Sequence, residues 1–122
     1  MKSTRIVAIA AILSLASSAA LCQPPAMQCV YGPVVRTFAG APWLVYACDD
    51  GKSVVVITDE HNPASPFYFL ISPQGGALSI NGEGTGSKVA SDAAGDELGR
   101  ISVTQIAQLW VQAKKVGRSK PR

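Results

Sequence analysis

The sequence predicts an α+β fold: a four- to five-stranded antiparallel β meander, followed by two C-terminal helices that pack on one face of the sheet. Two observations predict it. Short β-prone segments separated by turn residues fill the chain as far as Asn81, and helical spacing with capping signals begins after Gly82. The chain has no internal repeat. Strands first and helices second therefore favour a single sheet layer covered by helices.

The N-terminus has the pattern of a secretory signal peptide over residues 1–22. Lys2 and Arg5 form a positive region, residues 6–15 are apolar, and small residues follow. The apolar run is too short to span a membrane comfortably, and we expect no transmembrane segment in the mature chain. The pattern predicts a periplasmic or secreted protein of a bacterial envelope.

The three cysteines bear on how the signal peptide is processed. Cleavage after Cys22 or Ala20 is favoured over lipidation of Cys22, because Leu21 is not the small residue that a lipobox requires. In every case Cys29 and Cys48 are the predicted disulfide, since exported chains pair their cysteines. A loop of similar length gains about 3 kcal/mol from cross-linking in the chain-entropy model.

The charge of the chain is uneven. We predict one α+β domain over residues 23–113 and a basic, partly disordered tail over residues 114–122 that continues from the last helix. The predicted domain carries four Lys and Arg against eight Asp and Glu, and the tail carries five basic residues. The tail is suited to weak contact with an anionic membrane surface. An acidic body on an exported chain does not favour binding to nucleic acid.

The segment Pro42 to Thr58 predicts a β-hairpin. Two β-prone runs flank Asp49-Asp50-Gly51-Lys52, and Asp-Gly favours a two-residue type I′ turn. That turn places Asp49 opposite Lys52 and fixes the strand register. The expected pairs are Cys48–Ser53, Ala47–Val54, Tyr46–Val55, Val45–Val56 and Leu44–Ile57. Both faces are largely apolar, so we expect a central pair, covered by helices on one side and at least partly on the other.

Further strands are expected on both sides of this hairpin. Pro33 predicts an edge strand, a bulge or two short pieces before it. Residues 67–71 and 77–81 predict two later strands, and residues 82–86 a flexible glycine-rich loop. The predicted helices run from Lys88 to Leu98, capped by Ser87, and from a capping box at Ser102 and Gln105 to Val116. Their expected apolar positions are Val89, Ala90, Ala93, Ala94, Leu98, Val103, Ile106, Ala107, Trp110 and Ala113.

The glycine-rich loop is the first candidate binding site. Neither the phosphate-loop nor the dinucleotide pattern is complete, because Ser87 stands where a glycine is required. Free backbone amides near a helix start could still hold a small anionic ligand. The candidate residues here are Gly84, Gly86, Ser87 and Lys88. No cofactor is predicted.

Tyr68 is the second candidate binding residue. Phe67, Tyr68 and Phe69 on one strand must place aromatic rings on both faces of the sheet. If one face is open, Tyr68 joins an exposed patch of the kind that marks partner surfaces. The alternative is core packing on both sides.

Catalytic and metal-binding patterns are incomplete. His61 is the single histidine, no G-x-S-x-G motif is present, and adjacent residues such as Asp49 and Asp50 rarely converge on one ion. We therefore assign no catalytic and no metal-ligating residues. The sequence favours a non-catalytic binding protein with an envelope protein or anionic ligand as partner. The alternatives are a small envelope hydrolase using carboxylates or His61, and a lipid-anchored structural protein.

Overall fold

A computed structural model describes residues 26–119 of the protein. The predicted signal peptide, the cleavage or lipidation at Cys22, and the last three residues of the basic tail lie outside these residues. The described chain folds into five strands and two helices, in the predicted order. They are β1 (Tyr31–Phe38), β2 (Ala41–Ala47), β3 (Val54–Thr58), β4 (Phe67–Gln74), β5 (Ala77–Gly84), α1 (Lys88–Leu98) and α2 (Val103–Val116).

The sheet is an antiparallel meander with the strand order β1-β2-β3-β4-β5, as predicted. The hairpin of β2 and β3 is central, and its register is the predicted one, from Ala47–Val54 to Leu44–Ile57. Next to the turn, the amide of Cys48 donates to the carbonyl of Ser53 at 2.9 Å. The register follows from the position of this closing pair, since each later pair is set by it.

The turn of this hairpin is not the predicted type I′. Gly51 has φ +80°, but Asp50 does not have a positive φ. The Asp50 carboxylate instead accepts hydrogen bonds from the two amides that follow Gly51, at 3.0 and 2.8 Å. Asp49 does not close the hairpin with Lys52 but exchanges backbone and side-chain hydrogen bonds with Gln28. These hydrogen bonds to the Asp50 side chain stabilise a turn in which Asp50 does not have the positive φ that a type I′ turn requires.

β1 and β5 form the two edges of the sheet. β1 is a single strand with a register shift between Tyr31 and Val34, which places Pro33 at an edge irregularity. The prediction that residues 82–86 form a flexible loop is wrong for its first part. β5 continues through Gly82 and Gly84, which pair with Phe69 and Phe67 on β4. A Cβ on Gly82 would lie 2.8 Å from the Phe67 ring and 2.9 Å from the Phe69 ring, so these rings leave no room for a side chain there.

Both helices have the predicted bounds and caps. The Ser87 hydroxyl accepts from the Ala90 amide, and Ser102 and Gln105 form the complete capping box. The apolar positions are only partly as expected. Val89 is 83% exposed, and Ser91 is buried in its place. Leu109 is buried on α2, whereas Ala107 is exposed.

The helices cover one face of the sheet. The core between the layers contains Trp43, Val45, Val56 and Phe69, together with Leu98 and Ile106 from the helices. The Trp43 and Phe69 rings lie 5.5 Å apart between centroids. At the end of the sheet, Cys29 and Cys48 form the predicted disulfide. Neither helix packs on the opposite face of the sheet.

Candidate functional site

The second face of the sheet is apolar and carries neither α1 nor α2. We call it the open face, and its apolar side chains are those of Val35, Leu44, Tyr46, Val55, Ile57, Tyr68 and Leu70. Four of them, Leu44, Tyr46, Val55 and Leu70, are half-buried. The expectation that this face is at least partly covered stays a prediction. Val35 is 57% exposed and Tyr68 is 39% exposed. Tyr68 therefore belongs to an exposed patch, which is one of the two arrangements considered from the sequence.

A pocket of about 490 Å³ lies at one end of the open face. Its walls come from the ends of β3 and β5, the start of β4 and the loop before β4. The pocket brings together two of the predicted binding residues, Tyr68 and Gly84. Its lining is mainly apolar and includes Ile57, Pro66, Phe67 and Glu83.

Glu83 supplies the charged group of this pocket. The Tyr68 hydroxyl donates a 3.0 Å hydrogen bond to Oε2 of Glu83, which lies directly opposite on β5. This hydrogen bond and the negative charge of Glu83 raise the pKa of Tyr68 above its ordinary value of 10.0. The sequence does not predict Glu83 as a binding residue, because the strand pattern predicts an end of β5 at Asn81. If the alternation of side chains along this strand is continued two residues beyond Asn81, it predicts that Glu83 lies on the same face of the sheet as Asn81.

The glycine-rich loop, which is part of the predicted anion site, contacts the segment before β4. The amides of Thr85 and Ser87 donate to the carbonyls of Pro66 and Pro63. A Cβ on Gly86 would lie 1.9 Å from the carbonyl oxygen of Ala64, so the two backbones touch. The loop is therefore held against the segment before β4, and two of its amides are already used. The binding of an anion here stays a prediction.

Ser87 and Lys88 lie at the start of α1, and both contact residues of this helix. The Lys88 ammonium lies 2.8 Å from the Asp92 carboxylate, four residues along the helix, and both side chains are exposed. Ser87 caps the helix. An exposed pair of this kind contributes little to stability. The structure places these two residues away from the pocket that contains Tyr68.

His61 lies in the exposed loop between β3 and β4. Its Nε2 is 3.6 Å from the Glu60 carboxylate, and its amide donates to Asp59. Asp49 and Asp50 are bound to neighbouring backbone amides at the β2–β3 turn. Within residues 26–119, no three His, Cys, Asp or Glu side chains come together in a way that would hold a metal ion.

Within the same part of the chain, neither helix is long and apolar enough to cross a membrane. Comparison with family models, with curated proteins and with solved structures finds no match for this chain.

Proposed function

We propose that this chain is a small exported, non-catalytic binding protein that contacts a protein of the cell envelope through its open face. The observation that carries the proposal is a row of apolar side chains that leads into the pocket beside Glu83: the exposed Val35, Ile57 and Tyr68, joined by the half-buried Leu44. Exposed apolar patches of this kind favour association with another surface. Tyrosine is a common anchor in such interfaces because it combines a large apolar ring with a hydrogen-bonding hydroxyl.

The chemistry of the pocket defines the expected partner. Ile57, Pro66 and Phe67 in the lining favour an apolar side chain of the partner. The Glu83 carboxylate, also in the lining, favours a hydrogen-bond donor or a positive charge. The partner surface is thus an apolar patch with a donor or cation next to it. Export is supported by the N-terminal pattern and by the Cys29–Cys48 disulfide, which persists in oxidising compartments.

Site-specific photo-crosslinking in the producing cell tests the surface. A benzophenone amino acid is placed at Tyr68 or Val35 on the open face, and at Val89 on α1 as the matched exposed control. We expect one discrete crosslinked product from both open-face positions and none from Val89. The product is identified by peptide sequencing, and Ile57→Asp should abolish it. Equal crosslinking at Val89 would contradict the proposal.

Intact mass spectrometry of the protein from the envelope fraction tests export and the alternatives. Cleavage after Cys22 or Ala20 gives an unmodified mature mass that increases by two hydrogens on reduction. A mass increased by acyl chains at Cys22 would instead support the lipid-anchored alternative. The hydrolase alternative requires turnover of an identified substrate that is lost in His61→Ala or in a carboxylate variant.

A further inference from the structure

The two edges of the sheet differ in how their backbone groups are used. On the β1 edge, the amide of Gly32 donates to Gly117 and the carbonyl of Val30 accepts from Ser119. Arg118 forms a bridge with Tyr31 on the same edge. The first part of the predicted tail thus covers part of this edge. Covered edges are a normal protection against unwanted strand pairing.

The β5 edge has no such cover from residues 26–119. The two-residue turn at Gly75 and Gly76 makes Gln74 and Ala77 a hydrogen-bonded pair, and hydrogen-bonded and non-hydrogen-bonded pairs then alternate along the ladder. Leu78, Ile80 and Gly82 fall on the non-hydrogen-bonded positions. Their N–H and C=O groups therefore point away from β4, toward the outer edge.

The same edge contains few of the residues that block strand addition. The segment Ala77–Gly84 is eight residues long, contains no proline and no lysine, and has Glu83 as its single charged residue. Such a strand presents a row of donors and acceptors that an extended chain can pair with. Alternate side chains of an added strand would lie on the same face of the sheet as the helices.

Two depressions follow the β5 edge on the helix-covered face. The first has a volume of about 490 Å³, and its lining includes the apolar Leu78, Ile80, Ile101 and Val103 and the polar Ser102 and Thr104. The second has a volume of about 430 Å³. It is lined by Gly82, the rings of Phe67 and Phe69, and α1 residues that include Ser91, Asp92 and Asp96.

The second depression combines an apolar wall with negative charge. The aromatic rings suit the methylene stem of a long side chain, and Asp92 and Asp96 suit a cation at its end. Asp92 already pairs with Lys88, whereas Asp96 has no ion pair among the described residues. Lysine and arginine are the side chains that meet both requirements.

We propose that β5 binds an extended peptide segment of a partner protein as a sixth, antiparallel strand. Residues directly opposite each other lie on the same face of a sheet. A Lys or Arg opposite Gly82 would enter the acidic depression, and an apolar residue opposite Ile80 would enter the first one. The antiparallel direction gives the order basic residue, any residue, apolar residue. Main-chain pairing supplies affinity and the two depressions supply specificity.

This surface is separate from the open face, so the proposal goes beyond the binding function above. The Tyr68 side chain lies on the opposite side of the sheet from the two depressions. Val35→Asp, on the β1 edge of the open face, should leave peptide binding at β5 unchanged. Failure of either proposal is therefore distinguishable from failure of the other.

The test uses the mature, disulfide-bonded protein and a fluorescein-labelled peptide that contains Lys-Thr-Val-Thr-Val. We expect saturable binding by fluorescence anisotropy, with the largest amide NMR shifts at Leu78, Ile80 and Gly82. Replacing Lys by Glu in the peptide should weaken the binding at least about fivefold, because repulsion from Asp92 and Asp96 replaces the attraction. N-methylation of the first Val, which lies opposite Ile80, removes a main-chain donor and should weaken binding at least about tenfold.

Protein variants complete the test. Asp96→Asn should weaken binding of the Lys peptide about two- to fivefold, as expected for one exposed ion pair. Glu60→Gln removes an equal charge on a distant loop and should have no effect. The proposal is overturned by no binding at millimolar peptide, by shifts confined to the open face, or by equal affinity of the Lys and Glu peptides. Self-association through β5 that excludes the peptide would assign the edge to a second copy instead.

Discussion

The indole Nε1 of Trp110 donates a 3.0 Å hydrogen bond to the backbone carbonyl of Cys48, which lies 62 residues earlier in the chain. This bond joins α2 to the end of the central hairpin, beside the disulfide between Cys29 and Cys48. One turn further along α2, the Lys114 ammonium lies 3.4 Å from the centre of the Tyr31 ring. The C-terminal helix is therefore attached to the sheet by directional contacts as well as by apolar packing.

Trp110→Phe should lower the free energy of unfolding by about 1–2 kcal/mol, because it keeps an aromatic ring but removes the donor to the Cys48 carbonyl. The measurement is urea unfolding followed by circular dichroism. Val111→Ala, at an exposed neighbouring position on the same helix, is the control and should change stability by less than about 0.5 kcal/mol. Equal stability of Trp110→Phe and the wild type would refute the assigned role.

Two glycine-to-alanine substitutions should change the stability of the fold in opposite directions. In Gly86→Ala the new Cβ would meet the Ala64 carbonyl oxygen at 1.9 Å, so the loop must move and stability should fall by about 1–3 kcal/mol. Gly95 lies inside α1, and in Gly95→Ala the new Cβ would lie 3.4 Å from the Phe69 ring on β4, which is an ordinary contact distance. Stability should then rise by about 0.5–1 kcal/mol, because alanine restricts the unfolded chain. Thermal unfolding of both variants tests the pair, and a shift in the same direction for both would contradict it.

The Asp50 carboxylate should make part of the stability depend on acid pH. Partial burial alone would raise the pKa of Asp50, but hydrogen bonds from Ser53 and Lys52 and the charge of Lys52 outweigh it and lower the pKa below 3.8. A lowered folded-state pKa contributes stability above the unfolded value, and that contribution is lost as pH falls through the folded value. The urea midpoints of wild type and Asp50→Asn should therefore differ above pH 3.8 and converge in stronger acid. A constant difference would exclude titration of Asp50 as the cause.

The Tyr68–Glu83 hydrogen bond should be visible in an alkaline titration. The bond and the charge of Glu83 hold the pKa of the Tyr68 phenol above 10.0. Glu83→Gln removes the charge and should move the pKa of Tyr68 back toward that value. Phenolate absorbance reports the titration, and subtraction of the Tyr68→Phe curve isolates Tyr68 from the other two tyrosines. An unchanged titration in Glu83→Gln would show that the two groups do not interact in solution.

Much of the fold follows from local patterns in the sequence. The register of β2 and β3 was predicted because the position of a short turn determines every later strand pair. The bounds of both helices were predicted from Ser87, Ser102 and Gln105, since capping depends on residues within one helical turn. The Cys29–Cys48 pair followed from cysteine count and compartment. Each of these inferences depends on few and near neighbours.

The candidate sites were predicted less well, because they depend on residues that are distant in the chain. Tyr68 was predicted, but its partner Glu83 was missed, since β5 was expected to end at Asn81. The sequence pattern predicts loop glycines such as Gly86 as binding residues, whereas Gly86 contacts Ala64 across the structure. The composition of a segment does not reveal which backbone lies against it.

The sequence by itself determined the order of the strands and helices, the central register, the helix caps and the disulfide pair. Only the tertiary structure decided that β5 continues past Gly82, that Val89 is exposed and Ser91 buried, and that one edge of the sheet is covered while the other is not. The physical reason is that these features depend on the relative positions of packed layers. The rings of Phe67 and Phe69 on β4 occupy the space that side chains at Gly82 and Gly84 of β5 would need. The segment after α2 pairs with part of the β1 edge, whereas the outer edge of β5 is unpaired among the described residues.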